Sequence, residues 1–199
     1  QLIIDCYQKP EENWMGVFHA SAVRNKNEAI LFLGESGSGK STSLAVLNAF
    51  GYDCIADDFV PIDNQKKIHF FPAAISLKKN SLSTLTPFYP GLENSMEYHL
   101  NKTDKIVRYL PPKKTLYKST PLCKALVFIT YNTDIAFEVK QLSKIDALQL
   151  IIHDSWISPI EKNASMFMDW FLEMPCYQIT HSNNNKLVDC ITKLFHNDL

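Results

Sequence analysis

Ala29-Ile30-Leu31-Phe32-Leu33-Gly34-Glu35-Ser36-Gly37-Ser38-Gly39-Lys40-Ser41-Thr42 sets an apolar run against a glycine-rich turn and a Lys-Ser pair. The run reads as a buried strand and the glycines as a tight loop. The segment from Ser41 to about Phe50 reads as a helix, with Leu44, Leu47 and Phe50 at helical period. From Gly34 onward the residues fit G-x-x-x-x-G-K-[ST], the loop that cradles nucleotide phosphates. Glycines let consecutive backbone N–H groups converge and approach phosphate oxygens closely. The helix that opens near Lys40 adds the positive end of its dipole. In this reading Gly34, Glu35, Ser36, Gly37, Ser38, Gly39, Lys40, Ser41 and Thr42 bind the nucleotide. Lys40 reaches the β- and γ-phosphates, and the Ser41 hydroxyl holds Mg²⁺. Three of the chain's six glycines fall in this loop, so they are concentrated here rather than spread over ordinary turns.

Composition narrows the alternatives. A chain of 199 residues with 46% hydrophobic and 21% charged residues suits one domain over residues 1–199 with a real core. The formal net charge of -1 gives no electrostatic footprint for nucleic acid or for an anionic membrane. No apolar run reaches the roughly 18 residues that a transmembrane helix needs. Cys6, Cys54, Cys123, Cys176 and Cys190 are scattered, odd in number and without C-x-x-C spacing, which predicts reduced thiols in a cytoplasmic protein. His69, His99, His153, His181 and His196 show no metal-ligand spacing. The start Gln1-Leu2-Ile3-Ile4, without methionine, reads as part of a longer protein.

Outward from the loop, Trp14 to Val23 predicts one strand with Val17, His19, Ser21 and Val23 on one face. A hairpin centred near Lys26 then places His19 opposite Leu33, beside the loop entrance. Gly51 closes the helix, and Tyr52–Ala56 forms a short strand that ends in Asp57-Asp58. Residues 59–62 and 68–71 read as a second hairpin around a polar turn at 63–67. Residues 79–121, broken by prolines at 87, 90, 111, 112 and 121, read as a long loop. Further strands are expected at 124–130, 135–142 and 177–180. Helices are expected from the capping box Ser143-x-x-Asp146 to Ile152, over 166–172, and over 186–195 with Leu187, Ile191, Leu194 and Phe195 inward. Trp156, Phe167, Trp170 and Phe171 read as core or a packing face.

Chemistry at a bound triphosphate needs an acid near the metal and a group that orients or deprotonates the acceptor. Asp57 and Asp58 follow Ser41 by one helix and one strand, which brings them to the carboxyl end of a neighbouring strand in an open α/β sheet. Adjacent carboxylates repel, which suits one metal role and one base role.

With these residues in place the sequence resembles the HPr kinase/phosphorylase catalytic domain and its smaller relatives, a group with phosphoenolpyruvate carboxykinase-like architecture. The resemblance rests on His19 in the strand before the loop, Glu35 directly after the first loop glycine, the helix end at Gly51, and Ala56-Asp57-Asp58 closing the next strand. It is strongest over residues 16–63 and weaker beyond. It implies an α/β P-loop kinase fold with a mixed central sheet and flanking helices, and a chain corresponding to the C-terminal part of the longer relatives. It implies ATP-dependent, Mg²⁺-dependent transfer of the γ-phosphate to a hydroxyl of a peptide, protein or small molecule. By position Asp57 is the base, His19 orients it, and Asp58 lies with Ser41 at the metal. Homo-oligomers are common in such relatives. The bifunctional enzymes carry an E-x-R-G-type segment where this chain has Pro90-Gly91-Leu92-Glu93-Asn94, which argues against HPr as the acceptor and against the reverse phosphorolysis. Lys78, Lys79, Lys105 and Arg108 are further candidates for phosphate or acceptor contacts. Two other readings compete. One is a small-metabolite kinase of shikimate or nucleoside-monophosphate type, whose lids use several arginines where this chain has only Arg24 and Arg108. The other is an ATP-binding regulatory module without chemistry.

Overall fold

The computed structural model describes residues 2–71, 73–99, 106–113 and 119–199. Along the chain run helix α1 (Leu2–Tyr7), strands β1 (Trp14–Phe18), β2 (Ser21–Asn25) and β3 (Glu28–Leu33), helix α2 (Lys40–Ala49), and strands β4 (Asp53–Ala56), β5 (Val60–Asp63) and β6 (Ile75–Lys78). Helix α3 (Leu82–Leu85), strands β7 (Tyr98–His99), β8 (Ile106–Leu110), β9 (Leu122–Tyr131) and β10 (Phe137–Gln141), and helix α4 (Lys144–His153) follow. Strand β11 (Ser155–Ile157), helix α5 (Glu161–Glu173), strand β12 (Cys176–His181) and helix α6 (Asn184–His196) complete the order.

A six-stranded mixed sheet, ordered β10-β12-β9-β3-β2-β4, forms the centre. Strands β12, β9 and β3 are parallel, and the other pairings are antiparallel. The apolar run of β3 is continuous because both its faces are covered. Ile30 and Phe32 pack with Leu44 and Leu47 of α2 and with Ile191 and Phe195 of α6. Ala29, Leu31 and Leu33 belong to the opposite layer, with Ile151 of α4 and Phe167, Trp170 and Phe171 of α5. Each fully buried Leu, Ile or Phe in these layers contributes about 1.5–3 kcal/mol. Ser143 caps α4 as the sequence predicts, accepting from the Asp146 N–H at 3.2 Å and donating to its carboxylate at 2.6 Å. Leu187, Ile191, Leu194 and Phe195 of α6 are buried.

Four expectations change. Residues 14–23 are not one strand. β1 ends at Phe18 and pairs with β11 and β5 in a separate three-stranded sheet, and β2 starts at Ser21 in the central sheet. His19 stands at the crossing, where its N–H donates to Asp154 O at 3.2 Å. The β2–β3 hairpin pairs Ser21 with Phe32 and Asn25 with Glu28, with Lys26 in the left-handed region at φ 55°, so His19 lies outside the ladder and has no partner at Leu33. Residues 68–71 return from the polar turn without forming a strand. Ile62 and Ile68 make an isolated bridge, while Lys67 bridges to Leu122 and the Ile68 N–H donates to Pro121 O, so the segment is shared with the start of β9 rather than laddered along β5. The described parts of 79–121, residues 79–99, 106–113 and 119–121, are more ordered than their prolines suggest. Strand β8 lies between β6 and β7 in a third sheet, and Leu85 and Leu92 are buried against the α2 layer.

All five cysteines are free thiols, four of them buried. Among the described residues no helix is long and apolar enough to cross a membrane.

Candidate active site

The site follows from strand direction. β3, β9 and β12 are parallel, and β4 regains their direction through two antiparallel steps by way of β2. Their carboxyl ends therefore open on one side, where α/β sheets place ligands. A cavity of about 810 Å³ lies there, lined by the glycine-rich turn, the first turn of α2, and residues at or just beyond the ends of β1, β4, β9 and β12.

The turn between β3 and α2 is tightly built. Gly34 has φ 138°, and a Cβ on it would lie 2.9 Å from Ile129 O and 2.8 Å from Ser38 Oγ. Gly39, at φ 104°, immediately precedes α2, and a Cβ there would meet the Tyr131 Cβ at 3.3 Å. The end of β9 pins the turn, with Tyr131 N–H donating to Ser38 O at 2.8 Å. Lys40 is 5% exposed, and its ammonium donates to Gly34 O at 2.6 Å and Glu35 O at 3.2 Å. Burial holds the Lys40 ammonium below the usual lysine range, while the nearby carboxylates, Asp58 first, then Asp57 and Asp154, pull in the opposite direction. Lys78, at the end of β6, lays its Nζ over the turn and donates to Ser36 Oγ at 3.1 Å. The Glu35 side chain is exposed.

The two acids diverge. Asp57 is 2% exposed. Its Oδ1 accepts from Ser21 Oγ at 2.6 Å and Ser41 Oγ at 3.0 Å, and its Oδ2 accepts from Ser76 N–H at 3.0 Å. Burial pushes its carboxyl above the usual range, the Ser21 hydrogen bond works against that, and the neighbouring Asp58 charge adds to it. Asp58 takes a left-handed backbone, φ 66°, which turns its carboxylate into the cavity. There His19 Nε2 lies 3.5 Å from Asp58 Oδ1. The expected pairing of His19 with Asp57 is thus replaced by one with Asp58. The reason is geometric: every oxygen of Asp57 is already engaged by the strands and helix around it, and the sheet crossing at residues 19–20 carries the imidazole to the cavity mouth.

Other candidates separate as clearly. Arg108 is 8% exposed and donates to Ser95 O and Glu93 O, with an ion pair to Glu97 at 2.7 Å, so it braces the 93–97 segment. Lys79 is exposed, and Lys105 lies outside the described residues. Trp170, Phe167 and Phe171 are core, as expected, whereas Trp156 is 40% exposed and lines the cavity.

Sequence reading missed Ser21, Ser76, Tyr131, Asp154, Trp156 and His181 as parts of this site. Ser21 alone carried a signal, as the residue two after His19. His181, at the end of β12, is 2% exposed and packs edge-on to Tyr131 with ring centroids 5.8 Å apart. Its Nε2 lies 3.4 Å from Ser43 Oγ, and its Nδ1 has no partner among the described residues. Burial lowers its pKa to about 4, so the ring is neutral at physiological pH.

Among the described residues no cluster of three or more His, Cys, Asp or Glu could enclose a metal by itself. The Ser41 hydroxyl, which lines the cavity with Asp57 bonded behind it, instead offers a hard oxygen donor set beside the turn. That set fits Mg²⁺, which takes one or two protein ligands and completes its shell with water and phosphate.

No protein-family profile matches the chain, and no curated protein matches its sequence. Among solved structures it is similar to the Hpr(Ser) kinase/phosphatase from Coxiella burnetii, with a TM-score of 0.34 and 10% identity over 91% of this chain and 94% of that one. A likeness at that score is too distant to assign a chemistry.

Proposed function

We propose that the chain is an ATP- and Mg²⁺-dependent phosphotransferase of HPr-kinase-like type that moves the γ-phosphate to an alcohol hydroxyl. The observation that carries the reading is the division of the acids. Asp57 is bonded to the Ser41 hydroxyl, and Asp58 stands beside His19 in the same cavity.

In this reading the amides of residues 34–41 and the N-terminus of α2 receive the phosphates. Lys40 and Lys78 offset charge on the β- and γ-phosphoryl oxygens. Ser41, held by Asp57, would hold Mg²⁺, which when bound would neutralise charge on those oxygens. The sequence order of roles is exchanged: Asp57 serves the metal side, and Asp58 is the base, oriented by His19. The acceptor oxygen bonds to Pγ, the bond from Pγ to the β,γ-bridging oxygen breaks, ADP leaves, and the hydroxyl proton passes to Asp58. A base in this position contributes about 10²–10⁴-fold.

Radiolabelled ATP with the purified chain and a cell lysate tests the reading. Label transfer that Lys40→Ala removes is the expected result. Absence of nucleotide binding in a folded protein would refute it.

A further inference from the structure

The cavity carries charges of both signs. The wall at the glycine-rich turn holds Lys40 and Lys78, and among the described lining residues these are the only Lys or Arg. At its mouth stand Asp58, half-buried, and the exposed lining residues Asp154, Phe59 and Trp156, with His19 in contact with both acids. Strand pairing fixes this mouth. Val17 opposes Trp156 and Phe18 opposes Ser155, while His19 N–H holds Asp154 O at 3.2 Å. Asp154, the last residue before β11, and Trp156 within it both line this cavity. Asp154 pairs with His153 at 3.1 Å, an imidazole that is 85% exposed, and its charge also acts on Lys40.

Building on the phosphotransferase reading, we propose that this mouth is the acceptor subsite and that it selects an alcohol with a positive charge close to its hydroxyl. An acceptor bearing carboxylate or phosphate would add its charge to those of Asp58, Asp154 and the triphosphate. A cation is attracted by Asp154 and by the face of Trp156. Discrimination of roughly tenfold between matched cationic and anionic acceptors corresponds to one partly solvated charge contact. The positive charge has two sources, a small amino alcohol or a serine flanked by Lys or Arg in a peptide.

Trp156 supplies a probe, because Trp14 and Trp170 are each only 1% exposed. Caesium is expected to quench the tryptophan fluorescence better than iodide. Asp154→Asn narrows the difference, and Trp156→Phe removes the accessible fraction. In the second arm, radiolabelled ATP is offered to amino alcohols and their hydroxy-acid counterparts, and to serine peptides flanked by Arg or by Glu. Preference for the cationic member supports the proposal, and the set in which it appears identifies the source. Iodide quenching equal to that of caesium, or preference for the anionic member, overturns it. Loss of the kinase reading has a separate signature: no ATP binding, with charge-selective quenching intact.

Discussion

The Ser41 hydroxyl donates to Asp57 Oδ1 at 3.0 Å, tying the first turn of α2 to the end of β4. This contact gives Asp57 a structural partner in the first turn of α2 and leaves Asp58, one residue on, to face the cavity with His19. Two neighbours in sequence thereby acquire different environments, one dry and fully hydrogen-bonded, the other open to an incoming molecule.

The two acids should separate in kinetics. Asp58→Asn is expected to keep Mg²⁺-ATP affinity and to lower phosphoryl transfer by about 10²–10⁴-fold. Asp57→Asn is expected to weaken Mg²⁺-dependent nucleotide binding itself, because it disturbs Ser41. Calorimetric titration of Mg²⁺-ATP alongside single-turnover transfer separates the two outcomes. An Asp58→Asn protein with unchanged turnover would remove its role as base.

The two lysines should differ in their response to salt. Lys40 is buried and Lys78 exposed. Lys40→Ala is expected to lower transfer by about 10³-fold with little dependence on ionic strength. Lys78→Ala is expected to weaken ATP binding by roughly tenfold at low salt and less at high salt, since an exposed charge is screened. Binding isotherms at two ionic strengths measure this.

Gly34→Ala should destabilise the fold by about 2 kcal/mol or more. The added methyl would sit 2.9 Å from Ile129 O on a backbone at φ 138°. Urea unfolding monitored by circular dichroism gives the shift in midpoint.

Acid should weaken the protein partly through His181. Its folded pKa is about 4 against an ordinary 6.5. Between those values the unfolded chain binds the extra proton, so the stabilisation is complete above pH 6.5 and is lost as pH falls toward 4. The full contribution is about 3 kcal/mol. His181→Gln is expected to flatten the stability profile across that window, read by urea titrations at several pH values.

The residues around the glycine-rich turn announced themselves locally. An apolar run followed by closely spaced glycines, Lys40 and Ser41 specifies strand, turn and helix through backbone freedom and periodicity alone, and β3 and α2 appear where that pattern puts them. The capping serine of α4 and the inward stripe of α6 were legible for the same reason. Nothing local told His19 to leave one sheet before Ser21 entered another, since a strand that changes sheets has the same alternation as one that does not. The pairing of His19 with Asp58, the enclosure of Asp57 by Ser21, Ser41 and the Ser76 amide, and the approach of Trp156 and His181 all join segments distant in the chain. Such contacts depend on sheet order and register, which only the assembled tertiary structure fixes, because their energies arise from packing between elements rather than within them.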